Sequence, residues 1–216
     1  LFCAIRHSDN PSHIKALIQA GADVNSAEYT YDWPDRSPPE TYYDGARLLN
    51  LAIESRKKEF VDILLEAGAD VNMTDHNGTG GGDQPLQYAV IYMNSIIKKL
   101  VDAGADVNRE SLSHTPLFWA LTGSNPAFGF FSNLKPNIQA IKLLLEAGAD
   151  VNIRYEEGDD DYLTVLDIAE LAGDSQAVGI LRNAGALRNR EIELKEKELE
   201  LSKNANYINE LQKIKL

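Results

Sequence analysis

One six-residue phrase recurs along the chain and constrains its fold more than any other feature. Ala-Gly-Ala-Asp-Val-Asn occupies residues 20–25, 67–72, 103–108 and 147–152, and a decayed copy begins at Ala184. The first alanines of successive copies are separated by 47, 36, 44 and 37 residues. Self-similarity at such periods indicates a protein built from stacked structural repeats.

A second block, which ends in alanine, precedes the later copies of this phrase. Thr-Pro-Leu-Phe-Trp-Ala at 115–120 is the clearest example, and Gln-Pro-Leu-Gln-Tyr-Ala at 84–89 matches it. Residues 47–52 and 164–169 match more loosely. The block begins 19 or 20 residues before the phrase, except that the unit starting at Thr115 has about twelve additional residues. The distance between the two blocks is therefore nearly constant, and the irregular periods come from inserted loops.

The residues from the start of the alanine-ending block to the start of the recurring phrase predict two short helices in each unit. Apolar residues recur at helical spacing, as at Leu49 and Ala52 and again at Ile63 and Leu64. Pro116 lies where the first turn of a helix needs no N–H donor. We expect the glycine of the phrase to end the second helix in a left-handed conformation, and Asp and Asn to favour the turn that follows. Such helix pairs bury both faces only by stacking on their neighbours.

Together these blocks resemble the ankyrin repeat, which has a period of about 33 residues. The resemblance covers residues 1–187 and implies an all-α ankyrin-repeat solenoid, in which helix-turn-helix pairs are joined by β-hairpin-like loops. A charged C-terminal helix is expected over residues 188–216. The expected repeats are approximately residues 1–25, 45–72, 83–108, 113–152 and 162–187.

The C-terminal segment has a partial heptad pattern. Leu187, Leu194, Leu201 and Ile208 recur every seven residues, but the matching second positions are mostly polar. A coiled-coil seam requires apolar residues at both positions, so this seam is half present. The pattern favours a helix that extends the last repeat, and a homodimer formed through this helix is the alternative.

Composition restricts the partners and the compartment. The formal net charge is −12, which disfavours nucleic acid and anionic membranes as partners. No apolar run is long enough to cross a bilayer, and no signal peptide is recognised. Cys3 is the only cysteine, which favours a reducing compartment. We therefore expect an intracellular protein, in the cytoplasm, and because Leu1 already lies inside a repeat we expect the chain to be a fragment.

Four loops are longer than a bare repeat requires. Residues 26–46 contain Tyr31 and Trp33 together with three prolines, and residues 123–136 contain three phenylalanines. These aromatic side chains either anchor a partner or cover the stack. A glycine-rich loop over 78–83 lacks the Lys and Ser/Thr of a phosphate-binding loop. The acidic loop near Tyr155 lacks the pattern of an EF-hand.

No catalytic or metal-binding pattern is present in the sequence. None of the four histidines pairs with a cysteine or a second histidine at metal-ligand spacing, and Cys3 has no identifiable base. Hydrolase, zinc-protease and dinucleotide-binding motifs are also missing. We therefore predict a protein that is not an enzyme, with no cofactor and no bound metal.

The ankyrin resemblance implies a protein–protein interaction module, an adaptor that binds another protein through its concave surface and its aromatic inserted loops. Trp119 is an anchor if exposed, and a core residue is the equally weighted alternative. The expected contact residues follow from the family's usual contact positions and from the first aromatic loop. They are Tyr31, Trp33, Glu54, Ser55, Thr74, His76, Asn77, Ile91, Tyr92, Glu110, Leu112, Trp119, Arg154 and Tyr155.

Three biological settings fit these expectations. The divergent repeats are compatible with a bacterial effector that acts in the cytoplasm of a host cell. A second setting is a regulatory or targeting segment of a larger enzyme or channel. A third is a homo-oligomeric structural protein joined through the C-terminal helix.

Overall fold

The computed structural model divides the chain into two compact units, Leu1–Asp150 and Val151–Leu216. The structure describes residues 1–29, 44–74, 76–77, 82–110, 114–123, 134–156 and 162–214.

Four helix pairs make up the described part of the first unit. Three short strands, β1 (Ala27–Tyr29), β2 (Asp44–Arg47) and β3 (His76–Asn77), form one antiparallel sheet in that order. A 3-10 turn over Asn94–Ile96 precedes the sixth helix. The helices are α1 (Phe2–His7), α2 (Pro11–Gln19), α3 (Leu48–Glu54), α4 (Lys58–Glu66), α5 (Pro85–Tyr92), α6 (Ile97–Asp102), α7 (Pro116–Thr122) and α8 (Ile138–Glu146).

The second unit contains one helix pair, one hairpin and a long terminal helix. Strands β4 (Arg154–Glu156) and β5 (Tyr162–Thr164) pair antiparallel. They precede α9 (Val165–Leu171), α10 (Ser175–Asn183) and α11 (Asn189–Ile214). The all-α solenoid of helix-turn-helix units, with hairpin-like connections and a C-terminal helix, is therefore confirmed. The division at residue 187 between repeat array and terminal helix stays a prediction.

Proline and capping side chains start several of these helices. Pro11, Pro85 and Pro116 occupy first-turn positions, where the missing N–H leaves no helical hydrogen bond unmade. The Thr115 hydroxyl accepts a hydrogen bond from the Phe118 N–H at 3.4 Å, and the Asn137 side chain accepts from the Ala140 N–H at 3.1 Å. Caps of this kind satisfy N–H groups that have no partner inside the helix.

The helices of the first unit lie in two layers. In one layer α1 contacts α3, α3 contacts α5 and α5 contacts α7, while α2 packs on α4 and α6 on α8 in the other. The first helices are the more buried: all of α3 except Glu54 is buried, and so is all of α7 except Thr122. Each pair thus completes its core with residues of its neighbours, as stacked repeats require.

The glycine of each recurring phrase ends a second helix. Gly68 has a φ of 86° and Gly104 a φ of 93°, in the left-handed region that favours glycine over residues with a Cβ atom. The Asp70 carboxylate then accepts a hydrogen bond from the Asn72 N–H at 2.8 Å, and Asp106 accepts from Asn108 at 3.0 Å. The predicted roles of glycine and aspartate in this turn are confirmed.

The asparagine that closes each phrase links consecutive repeats. Asn72 donates its amide to the Gly104 carbonyl at 2.9 Å and accepts from the Asp106 N–H at 2.9 Å. Asn25 makes the same two bonds to the second repeat, and Asn108 to the fourth. Within the second unit, Asn152 bonds in the same way to the last repeat. The side chain therefore ties one turn to the next.

Replacing Asn72 with alanine is expected to lower the free energy of unfolding by about 1–2 kcal/mol, because two inter-repeat hydrogen bonds of ordinary net strength are lost. Urea denaturation followed by circular dichroism measures this change. Gln139→Ala is the matched control, since Gln139 is an exposed amide residue of the same unit. If both variants unfold at the urea concentration of the wild type, the asparagine link does not stabilise the stack.

The start of the terminal helix is attached to the last repeat. The Glu191 carboxylate accepts hydrogen bonds from Arg182 at 2.8 Å and from the Arg188 N–H at 2.7 Å. Both contacts lower the pKa of Glu191, the Arg182 bond being the larger cause. One turn later, Glu196 forms a two-pronged ion pair with Arg154. These contacts agree with a helix that extends the last repeat.

Candidate protein-binding surface

The α3 and α5 helices expose a small group of side chains at their C-terminal ends. Glu54 and Ser55 end α3 and are exposed, whereas Tyr88, Ile91 and Tyr92 of α5 are half-buried. We call these five residues the first-helix surface. The rest of the α3 helix is buried, so a partner that contacts α3 meets mainly Glu54 and Ser55.

Two tyrosines form the aromatic part of the first-helix surface. Tyr88 and Tyr92 lie four residues apart on α5, and their ring centroids are 5.9 Å apart with an interplanar angle of 31°. Residues with this spacing lie on one helix face, with side chains that lean toward the N-terminus. Ile91 adds an apolar side chain beside them. Half-exposed aromatic and aliphatic groups of this kind are typical of protein contact sites.

Burial and two carboxylates disfavour the ionised form of Tyr92. Burial raises the pKa of Tyr92 above its ordinary value, and the negative charges of Glu54 and then Asp83 raise it further. Glu54 reaches Tyr92 from the neighbouring helix, and Asp83 lies just before the start of α5. The local potential at this tyrosine is therefore negative.

Removing the Glu54 charge is expected to lower the Tyr92 pKa toward its ordinary value while leaving it raised, because burial and Asp83 remain. The folded protein disfavours the phenolate form of Tyr92. The contribution of Tyr92 to stability is therefore complete below the ordinary tyrosine pKa, and it is lost as pH rises through the raised pKa of the folded state. NMR titration of ring-labelled tyrosine measures the change in Glu54→Gln, with Tyr92→Phe identifying the signal. An unchanged Tyr92 pKa in Glu54→Gln would show that the Glu54 charge does not act on Tyr92.

The structure brings four of the predicted contact residues together and places others elsewhere. Glu54, Ser55, Ile91 and Tyr92 belong to the first-helix surface. Thr74 is half-buried and Glu110 is exposed, each in a turn that follows a recurring phrase. His76 and Asn77 contribute the backbone of β3. Tyr31, Trp33 and Leu112 lie outside the described residues, as do the three phenylalanines of the long loop, Phe128, Phe130 and Phe131.

Two of the predicted contact residues are core residues instead. Trp119 is 2% exposed and Tyr155 is 3% exposed, so neither ring is available to a partner. Trp119 follows Phe118 in α7, and these rings meet edge to face with centroids 6.5 Å apart. For Trp119 the core alternative is therefore the correct one.

Arg154 of the second unit has an intramolecular role. Its guanidinium pairs with Glu196 and lies 5.9 Å from the centroid of the Tyr162 ring. A partner would have to compete with both contacts.

Tyr88 and Asp83 are not among the contact residues that the sequence predicts. Tyr88 precedes Tyr92 by four residues, which is the helical spacing that places two side chains side by side, so this signal was available. Asp83 carries no such signal, because it lies in a loop whose approach to Tyr92 depends on the fold.

No helix within the described ranges combines the length and the apolar character needed to cross a bilayer. In the same part of the chain, no three His, Cys, Asp or Glu side chains are grouped closely enough to hold a metal ion.

Similarity to known proteins is concentrated in the repeats. Ankyrin repeat and SOCS box protein 6 from Homo sapiens is 29% identical over 153 residues, which are 69% of this chain and 31% of that protein. A protein of fowlpox virus (strain NVSL), named as an ankyrin repeat protein, is 41% identical over 119 residues, 52% of this chain and 30% of its own length. Rabankyrin-5 from Homo sapiens is 28% identical over 198 residues, 80% of this chain and 16% of its length.

The chain thus spans less than a third of the length of each of these relatives. A family model described as ankyrin repeats, in three copies, matches residues 49–155, about half of the chain. This region includes the helices α3 to α8 and three of the four full copies of the recurring phrase. Ankyrin repeats are protein–protein interaction modules, and this chain belongs to the ankyrin repeat protein family.

Proposed function

We propose that the chain is an adaptor that binds a partner protein through the first-helix surface. The observation that carries this proposal is the group formed by Tyr88, Ile91 and Tyr92, which stays half-exposed while the neighbouring helices α3 and α7 are almost wholly buried. In ankyrin arrays this layer and the hairpins face the partner. The turns at Thr74 and Glu110 and the aromatic loop with Tyr31 and Trp33 extend the proposed contact.

A few side chains of the first-helix surface are expected to supply most of the binding energy. Interface energy is concentrated in a handful of residues, among which tyrosine is enriched. Two adjacent tyrosines and an isoleucine supply buried apolar area on binding, and the exposed Ser55 and Glu54 supply polar contacts at the edge. No cofactor or catalytic group is needed for this activity.

Affinity capture with quantitative mass spectrometry tests the proposal. The bait is the whole chain, beside an Ile91→Ala/Tyr92→Ala variant and a Gln139→Ala/Lys142→Ala variant altered on α8. We expect a partner captured by the wild type and the α8 variant and reduced at least about tenfold with the first-helix variant, as for loss of two anchor residues. A partner retained equally by all three baits would place binding outside the first-helix surface.

A regulatory or targeting segment of a larger protein is the second candidate. It is favoured by the small share of each relative that the chain matches, including 6% of an Arabidopsis thaliana protein named E3 ubiquitin-protein ligase KEG. In that setting the same surface would recruit a partner to the activity of another domain. The full gene sequence distinguishes the two candidates.

A bacterial effector in the cytoplasm of a host cell remains the proposed biological setting for the adaptor, and the source of the gene tests it. Self-association through α11 is a separate proposal, supported by Leu194 and Leu201, which are seven residues apart and exposed. Light scattering with and without residues 188–216 tests it. A mass equal to one chain in both proteins would exclude the homodimer.

A further inference from the structure

We infer that the partner of the first-helix surface presents a basic segment, with one arginine or lysine side chain lying over the Tyr92 ring between the carboxylates of Glu54 and Asp83. This inference rests on the proposed function and specifies the chemistry of the partner. Three observations support it, concerning the rings, the charges and the uncompensated acceptors.

The rings provide a surface for a cation. Tyr88 and Tyr92 are half-exposed and 5.9 Å apart, so a flat guanidinium or an ammonium group can contact both. A cation within about 6 Å of a tyrosine centroid is attracted by the electron density of the ring face. Ile91 lies beside them and suits the aliphatic stem of the same side chain.

The charges around these rings are negative. Glu54 is the only charged residue among the three central first helices, α3, α5 and α7. It is exposed and makes no ion pair with any other residue that the structure describes. Asp83 adds a second carboxylate close to Tyr92. A basic segment of a partner can therefore pair with Glu54 without first breaking an ion pair within the chain.

Two uncompensated acceptors lie next to Asp83. Asn50 donates its amide to the Asp83 carbonyl at 3.0 Å, which leaves its own Oδ1 buried. The Oε1 of the adjacent Gln84 is buried too, and neither oxygen has a hydrogen-bond partner within the described ranges. Their partial negative charges add to those of the carboxylates. These buried oxygens do not contact a partner, and it is the exposed carboxylate of Glu54 and the π-faces of the tyrosines that favour a cation over an anion.

The test begins with a randomised peptide library displayed on phage and selected on the whole chain. We expect arginine and lysine to be enriched in the selected peptides. Fluorescence anisotropy of one such labelled peptide then measures affinity for the wild type and for the variants Glu54→Gln, Tyr92→Ala and Tyr92→Phe. Glu66→Gln is the matched control, because Glu66 is an exposed carboxylate on the second helix α4.

Loss of the Glu54 charge is expected to weaken binding about three- to fivefold, the upper range for an exposed ion pair. Tyr92→Ala is expected to weaken it about tenfold, whereas Tyr92→Phe and Glu66→Gln stay close to the wild type, because phenylalanine keeps the ring face.

The outcomes separate this inference from the proposed function. Selected peptides that lack basic residues but bind Tyr92→Ala more weakly than the wild type would contradict the inferred cation. They would still support the first-helix surface as the binding site. Equal changes of peptide affinity in Glu54→Gln and Glu66→Gln would also contradict the inferred cation. Basic peptides insensitive to every first-helix variant, or no selected peptide at all, would count against both.

Discussion

Replacing Leu86 with alanine is expected to lower the free energy of unfolding by about 2–5 kcal/mol, the range for deleting a fully buried leucine side chain. Leu86 lies in the first turn of α5 and has no exposed surface. Because α5 contacts both α3 and α7, the cavity would weaken the contacts of the central repeat with both neighbours. Urea denaturation followed by circular dichroism and tryptophan fluorescence measures the loss.

Leu17→Ala is the matched control for Leu86→Ala. Leu17 belongs to α2 and is 39% exposed, so its truncation removes less buried area and leaves no enclosed cavity. We expect its cost to stay below about 1.5 kcal/mol, roughly half the value of burying a leucine fully. Similar losses in the two variants would contradict the placement of Leu86 in the core.

Replacing Asp167 with alanine is expected to destabilise the second unit by about 2–4 kcal/mol, from loss of a helix cap and of charged hydrogen bonds. One oxygen of this carboxylate lies 2.9 Å from the Thr164 N–H, 2.8 Å from the Thr164 hydroxyl and 2.9 Å from the Asn189 N–H. It thus joins the start of α9 to the start of α11. Chemical denaturation measures the loss, and hydrogen exchange of α11 reports its detachment.

Glu198→Ala controls for removal of a carboxylate in the same unit, because Glu198 is exposed on α11. Its cost is expected to stay within about 0.5 kcal/mol, as for other surface substitutions. If Asp167→Ala leaves the exchange of α11 as slow as in Glu198→Ala, the carboxylate does not attach the terminal helix.

The repeat architecture could be predicted because it is written in short-range patterns. The left-handed glycine, the aspartate turn and the proline at the start of α5 and α7 each involve residues a few positions apart. The half-present heptad likewise predicted a terminal helix, and α11 spans Asn189–Ile214. Local conformational preferences suffice for all of these features.

The environment of individual side chains could not be predicted in the same way. Trp119 follows the Thr-Pro-Leu motif, and the sequence left a core position and an exposed anchor equally plausible. Its burial is decided by packing across the stack, which periodicity along the chain does not encode. The burial of Tyr155 is likewise decided by packing. Tyr155 is the buried middle residue of its strand, between two exposed residues, and the sequence does not show which strand face is covered.

The contacts that shape the candidate site also join distant parts of the chain. Asn72 was predicted to make a turn, but its amide also reaches Gly104, thirty-two residues later. Glu54 and Asp83 act on Tyr92 from another helix and from a loop. Such groupings follow from the stacking of repeats and become visible when the fold is known.

Site-specific photo-crosslinking to the captured partner shows which helix layer the partner contacts. A photoreactive amino acid is introduced at Ser55, which is exposed at the end of α3, or at Lys142, which is exposed on α8 in the other helix layer. We expect a crosslinked partner from position 55 and none from position 142. Crosslinking from position 142 alone would place the partner on the second-helix layer and contradict the first-helix surface as the binding site.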